Sequence, residues 1–210
     1  MPMMYPVTLE LVDKECLVVG GGVVAERKVL SLLECGAIIT VVSPAITTML
    51  RKLADTSLIK YKDGCYSKDD LLNKLLVICA TNNQVVNQQV AQDCKGIGIW
   101  VNVVDQPELC TFHVPAVMRR GMMSISVSTS GASPLLAAKI RKQLEQDFGQ
   151  EYEILLQIMV EVRKEVNQKN IDPIKRYQIY SKILNSNIMQ LIKQGKTEKV
   201  KELIAACTSL

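Results

Sequence analysis

Histidine is almost absent from this 210-residue chain. His113 stands alone, with no clustered ligand spacing around it, so a preformed structural zinc site is not expected. Aromatics make up only 4% and the formal charge is a mild +4. Few stacking platforms and no strong positive field argue against nucleic acid as a partner. No apolar run approaches the ~20 residues that span a bilayer, and the opening MPMMYPVTLELVDKE lacks the basic start and apolar core of a signal peptide. The expectation is a cytoplasmic protein without a membrane partner. Cysteine is not scarce, but its seven copies are odd in number and scattered, without a C-x-x-C pair. They read as small apolar residues in a reducing compartment.

With 48% hydrophobic and 22% charged residues, the chain has the composition of a globular protein able to bury a sizeable core. Its most informative stretch is CLVVGGGVVAERK, from Cys16 to Lys28. A short apolar run passes through three glycines into a helix start, and Gly20, Gly22 and Ala25 fit G-x-G-x-x-G/A. In that pattern the glycines make the tight turn and admit a pyrophosphate to the backbone, while free amides at the helix start favour the phosphate charge. Val7–Val12 alternates like a strand. Residues 26–35 are helical with Gly36 as cap, and Ala37–Val42 is a second buried strand. The alternation continues with a helix over Ile46–Ala54, a strand over Leu58–Tyr61, a short helix over Asp69–Lys74, and a strand over Leu75–Ala80. A helix over Gln84–Cys94 and a strand over Ile97–Val103 complete it. Such spacing predicts a doubly wound parallel sheet, the βαβ setting the glycine pattern requires.

One expected feature is missing. Many NAD-binding folds carry an acidic residue at the end of the second strand for the ribose hydroxyls, but here that strand ends at Ser43, and Arg51 is a full helix away. NAD against NADP stays open at this level. Beyond the sheet, Thr111–Val114 and Met122–Ser128 read as strands joined by PAVMRRG. Ser133 and Pro134 form a good cap for a helix to Phe148. From Glu151 onward the pattern is helical, with Ile154, Leu155, Ile158, Met159 and Val162 as one apolar stripe. Lacking a sheet of its own to pack on, that stripe is expected to be buried partly against a partner. The fold class is thus α/β, a Rossmann-type sheet over residues 1–113, followed by a small α+β segment over 114–148 and a helical domain over 149–210.

Four motifs lie in register: VGGGVVAERK, ATNN (Ala80–Asn83), NVVDQPELCTFHVPA (Asn102–Ala116) and STSGASPLLAAKIR (Ser128–Arg141). In this order and at these distances they resemble the sirohaem-synthase family of precorrin-2 dehydrogenases and sirohydrochlorin ferrochelatases, closely over residues 5–145. The resemblance implies NAD-dependent oxidation of precorrin-2 to sirohydrochlorin, with ferrous iron inserted by those members that do both, and it implies a homodimer. Gly20, Gly21, Gly22, Val23 and Val24 match the pyrophosphate loop, and Ser43, Pro44 and Ala45 the adenosine side. Thr81, Asn82 and Asn102 join them as cofactor-binding positions. Asp105 matches the acidic residue to which both reactions are attributed. Ser130–Gly131 stands where some members have two glycines, and Thr129 where some have a phosphorylated serine. Large members also carry a methyltransferase domain, for which this chain has no room, so its substrate is expected from another protein.

The residues themselves allow the same chemistry. Losing a hydride from carbon and stripping pyrrole protons for a metal both need a proton acceptor, and one carboxylate at the crevice mouth could serve. Asp105 could equally be a turn residue before Pro107, and His113 a packed strand histidine. Arg119, Arg120, Ser128, Thr129, Ser130, Gly131 and Ser133 offer guanidinium groups and a hydroxyl-rich helix start for a substrate bearing many carboxylates. Three alternatives stay open: an NAD-sensing module without catalysis, a different small-molecule dehydrogenase with a dedicated Lys, Tyr or Cys, and a dehydrogenase without chelatase activity.

Overall fold

The computed structural model describes residues 4–169 and 171–209. The chain divides into two units, Met1–Val114 and Pro115–Leu210. In the first, strands β1 (Glu15–Val19), β2 (Ile38–Ser43), β3 (Lys60–Asp63), β4 (Leu76–Cys79) and β5 (Trp100–Val103) form one parallel sheet in the order β3-β2-β1-β4-β5. Helices α1 (Val23–Leu33), α2 (Thr48–Asp55) and α3 (Gln84–Ile97) connect them. Parallel strands covered on both faces must be apolar on both, and Cys16 to Val19 and Leu76 to Cys79 are all buried. One face packs Cys16, Val18, Ile39, Val41 and Ile78 against Ala25 and Val29 of α1 and Leu50 of α2. The other packs Leu17, Val19, Val77 and Val101 against Val90, Ala91 and Cys94 of α3. Each such fully buried Val or Leu contributes about 1.5–3 kcal/mol. The chain runs outward from β1 to β3, then crosses back to β4 and β5. That reversal leaves a crevice outside the carboxyl ends of β1 and β4.

Four local expectations need correction. Residues 7–12 alternate like a strand but pair with nothing in the sheet; Val7 and Val12 are exposed and only Leu11 is buried. The third strand begins two residues late, at Lys60, because Leu58 is exposed and Ile59 is the residue that enters the core. The helix expected over Asp69–Lys74 is a tight 3-10 turn, Lys68–Leu71. Ser67 and Asp70 cap it reciprocally, and Asn73 ends the segment at φ 60°. Thr111–Val114 is not a strand. Thr111 braces β5 instead, its amide donating to the Val101 carbonyl at 2.8 Å and its hydroxyl accepting from the Val101 amide at 2.8 Å.

In the second unit the strand lies in the segment read as a connector. β6 (Ala116–Arg120) pairs antiparallel with β7 (Met123–Val127) through a two-residue loop, and Gly121, φ 53°, takes the first loop position as a type II′ turn requires. α4 (Pro134–Asp147) packs on both strands. Helices α5 (Glu151–Gln168), α6 (Pro173–Leu184), α7 (Ile188–Lys193) and α8 (Thr197–Thr208) follow. Leu155 and Val162 of the stripe are buried among Ile179, Ile183, Ile188 and Val200, with Ile158 and Met159 packed alongside. The stripe therefore packs on the chain's own helices, and only Ile154 is left exposed. No helix among the described residues is long and apolar enough to cross a membrane.

Candidate functional site

The crevice between the carboxyl ends of the strands is a cleft of about 760 Å³, within the range of small-molecule sites. Its floor is the glycine loop. Gly20 has φ 118°, and a Cβ there would collide with the Ala80 carbonyl oxygen, so glycine is required on both counts. A Cβ on Gly21 would collide with the Ala45 carbonyl oxygen, whereas one on Gly22 would meet nothing within 4 Å. The first two glycines thus let the chain pass close to its neighbours, and the third faces the open cleft. Backbone bonds hold the loop: the Gly20 amide donates to Val42 (2.9 Å), and the Thr47 amide to Gly21 (3.0 Å). The α1 amides open into this space, the arrangement that favours an anion.

All the residues expected on the cofactor from Gly20 to Val24, Ser43 to Ala45, and Thr81 and Asn82 line this one cleft. Asn102 is not among its lining residues. It is buried, and its amide donates to the Phe112 carbonyl at 3.0 Å, fastening the chain that follows β5. Ser43 lines the cleft with little surface, and its hydroxyl donates to the Ala45 carbonyl at 2.7 Å.

Several cleft residues escaped the sequence reading. Thr47 accepts from the Leu50 amide as the cap of α2 and donates to Glu26 Oε2 at 2.5 Å, tying the starts of α1 and α2 together. Gly64, Cys65 and Tyr66 form the wall beyond β3. The Tyr66 hydroxyl donates to Asp93 at 3.1 Å; burial first, then this carboxylate, pushes its pKa well up, so it stays a neutral phenol. Asn87, 2% exposed, accepts from the Thr81 hydroxyl (2.6 Å) and the Cys79 thiol (3.1 Å), and donates to the Thr81 carbonyl (3.2 Å). It fixes the loop after β4, whose Asn83 caps α3. A Thr before an apolar run and an Asn before Gln84 were readable as caps. The wall beyond β3 depends on sheet order and left no local signal.

Asp105 follows β5 in a turn, exposed, at φ 60°. Aspartate tolerates this left-handed conformation at modest cost, and outliers of this kind gather at functional sites. Lys28, half-buried midway along α1, has its pKa lowered by burial and by Arg27, and the Asp105 carboxylate partly offsets this. Burial pushes the Cys79 thiol up to about 12, which removes it as a nucleophile. Half-buried His113 lies in the coil after β5.

In the second unit Arg119 is exposed on β6. Arg120 donates to the carbonyls of Phe148 (2.8 Å), Glu145 (2.8 Å) and Arg119 (2.8 Å), closing the carboxyl end of α4. In the loop before α4, Thr129 accepts from the Ser133 amide (3.1 Å), Ser128 from the Ser130 amide (3.2 Å), and Ser133 from the Leu136 amide (3.2 Å). Ser130 and Gly131 both have positive φ, 52° and 84°, a conformation that glycine adopts at no steric cost. Among the described residues, no three His, Cys, Asp or Glu side chains converge to hold a metal ion.

Comparison with known proteins adds to this geometry. The model of a putative NAD(P)-binding family matches residues 7–116, and that of the sirohaem biosynthesis protein central domain matches residues 120–147. A siroheme synthase of Methylococcus capsulatus is 35% identical over 199 residues, covering 95% of this chain and 42% of that protein. One from Thioalkalivibrio sulfidiphilus is 35% identical over 200 residues, covering 95% and 41%. The chain thus spans about two fifths of the length of these curated relatives. Among solved structures, SirC, precorrin-2 dehydrogenase, superposes with a TM-score of 0.78 at 29% identity, covering 95% of this chain and 100% of that one.

Proposed function

Because this chain belongs to the putative NAD(P)-binding family and carries the sirohaem biosynthesis central domain, we propose that it oxidises precorrin-2 to sirohydrochlorin with NAD. The observation that carries this reading is the likeness to SirC, precorrin-2 dehydrogenase, over that protein's whole length. The cleft fits a dinucleotide: Gly22 leaves open space where a pyrophosphate needs it, at the start of α1. NAD, when bound, supplies the hydride acceptor. The amides from Gly21 to Val24 would hold the pyrophosphate, the Gly20 amide being bonded to Val42, and the walls braced by Glu26–Thr47 and by Asn87 would keep its place. Oxidation removes a hydride and a proton. The proton goes to the Asp105 carboxylate, which the turn at φ 60° holds exposed past the end of β5.

The same carboxylate would take pyrrole protons if ferrous iron is inserted into sirohydrochlorin, a second reaction in keeping with the name siroheme synthase borne by the relatives. Arg119, with the loop from Ser128 to Ser133, is the proposed partner of the tetrapyrrole carboxylates. Segment 114–148 is the proposed dimerisation surface, since α4 exposes Leu135 at 83%, together with Leu136 and Ile140. Incubating the purified protein with precorrin-2 and NAD should yield sirohydrochlorin and reduced cofactor, and adding ferrous ion should then give sirohaem. No turnover of precorrin-2 with either NAD or NADP would overturn the reading. A folded monomer at micromolar concentration would overturn the dimer.

A further inference from the structure

The tip of β2 has no carboxylate for an adenosine ribose, and the Ser43 side chain cannot take its place. Ser43 is 8% exposed, and its hydroxyl already donates to the Ala45 carbonyl. One strand further out the situation differs. In the β2–β3 register Asp63 is the Cα partner of Ser43. Paired residues of adjacent strands point to the same face of a sheet, about 4.8 Å apart. Ser43 points to the glycine-loop face, because a Cβ on Gly21 would come within 2.8 Å of its hydroxyl. Asp63 is therefore set on that same face, one strand beyond the place where an acid is usually found. From Asp63 the chain turns directly into Gly64, Cys65 and Tyr66, which wall the cleft.

The carboxylate is also available. Asp63 is exposed, and among the described residues none is hydrogen-bonded or ion-paired to its side chain. The neighbouring lysines are engaged elsewhere: Lys62 with Asp70 at 2.6 Å, and Lys60 with Glu15 at 2.9 Å. The Arg51 guanidinium lies over the Tyr61 ring, 4.7 Å from its centroid, two residues before Asp63 in the strand and so on the same face.

Building on the cofactor reading above, we infer that Asp63 at the end of β3 replaces the missing acid of β2, accepting hydrogen bonds from the adenosine ribose hydroxyls and selecting NAD over NADP. The hydroxyls of NAD donate to a carboxylate, whereas a 2′-phosphate would set two anions against each other at the rim of the cleft, where Asp63 adjoins the Gly64–Tyr66 wall without being one of its lining residues. Removing the Asp63 charge would leave Arg51 as the nearby cation for that phosphate.

The test is calorimetric titration of the full chain and of Asp63→Asn and Asp63→Glu with NAD and, separately, NADP. Wild type should bind NAD at least about 10-fold more tightly than NADP, the order expected for hydrogen bonds to a charged group. Asp63→Asn should lose about 10-fold in NAD affinity, gain in NADP affinity and so abolish the preference, and Asp63→Glu should keep it. An Asp63→Asn protein that binds NAD and discriminates as wild type does would overturn the inference while leaving the cofactor reading intact. A wild type that prefers NADP would overturn it too. A wild type that binds neither dinucleotide would remove the cofactor reading itself, and the inference with it.

Discussion

The two ends of the five-stranded sheet are built from opposite materials. At the amino end Glu15 pairs with Lys60 of β3 at 2.9 Å and with Lys74 at 2.7 Å, and Lys74 also donates to Thr40 of β2 at 3.2 Å. Long charged side chains there reach across three strands and meet one another. At the carboxyl end stand three glycines, a serine turned inward and a loop pinned from beneath by Asn87. Side chains that would fill the space are missing, and a cleft is left. Within the same strands, then, one end is closed by its own residues and the other is shaped for something not in the sequence. Substitutions at the carboxyl end should register in turnover and affinity, and those at the amino end in stability alone.

The largest break should come from Asp105→Ala, which should lower precorrin-2 turnover by roughly 10²- to 10⁴-fold while NAD affinity stays nearly unchanged. Steady-state rates beside calorimetric NAD titration check this. Asp105→Asn separates charge from position; if it keeps most of the rate, the residue positions the substrate and takes no proton. Next is Gly22→Leu, which should weaken NAD by about 100-fold or more, because the side chain enters the room needed by the pyrophosphate. With open space around that Cβ, the melting temperature should barely move. A large fall in melting temperature would mean that glycine serves folding there.

Asn87→Ala sharpens the comparison from the other side. It lies at the carboxyl end yet is buried, and removing it takes away its bonds to the Thr81 hydroxyl, the Cys79 thiol and the Thr81 carbonyl, so about 1–3 kcal/mol of stability should be lost in urea denaturation. Glu15→Gln should have the smallest effect, below about 1 kcal/mol, since Lys60 is largely exposed and such pairs are weak. Hydrogen bonds from Lys74 and Lys60 hold the Glu15 pKa below that of an ordinary glutamate. Its contribution is therefore complete above the ordinary glutamate range and lost as pH falls through the lowered folded value. Urea midpoints of wild type and variant should differ at pH 7 and converge in acid; divergence in acid would contradict the assignment.

What could be read from the chain was local. The glycine loop, the Ser133–Pro134 helix start and the burial of the central strands follow from turn chemistry and periodicity within a few residues. What could not be read depends on pairing. Residues 7–12 alternate correctly but no strand lies beside them, and the true β6 hides in a segment with charged residues at its end. The tail stripe called for a partner until α6, α7 and α8 were found to cover it. The candidate site divides the same way. Its floor was legible in the glycines, whereas Gly64–Tyr66 became part of it only through strand order. Asn102 and Arg120 carried the right chemistry and turned out to hold backbone carbonyls in place.

The pairing of β1 with both β2 and β4 also sets a sequence of events for a newly made chain. The strand–glycine–helix corner can form as soon as β2 docks, but the opposite wall requires Cys16 to meet Leu76 across the whole outward excursion of β2 and β3. Long-range parallel pairing of this kind is slow. A nascent chain ending before β4 would therefore carry the complete fingerprint and no pocket. Because the dinucleotide finds its site only in the finished sheet, it should act as a clamp on the last step of folding, and the melting temperature should climb with the logarithm of its concentration.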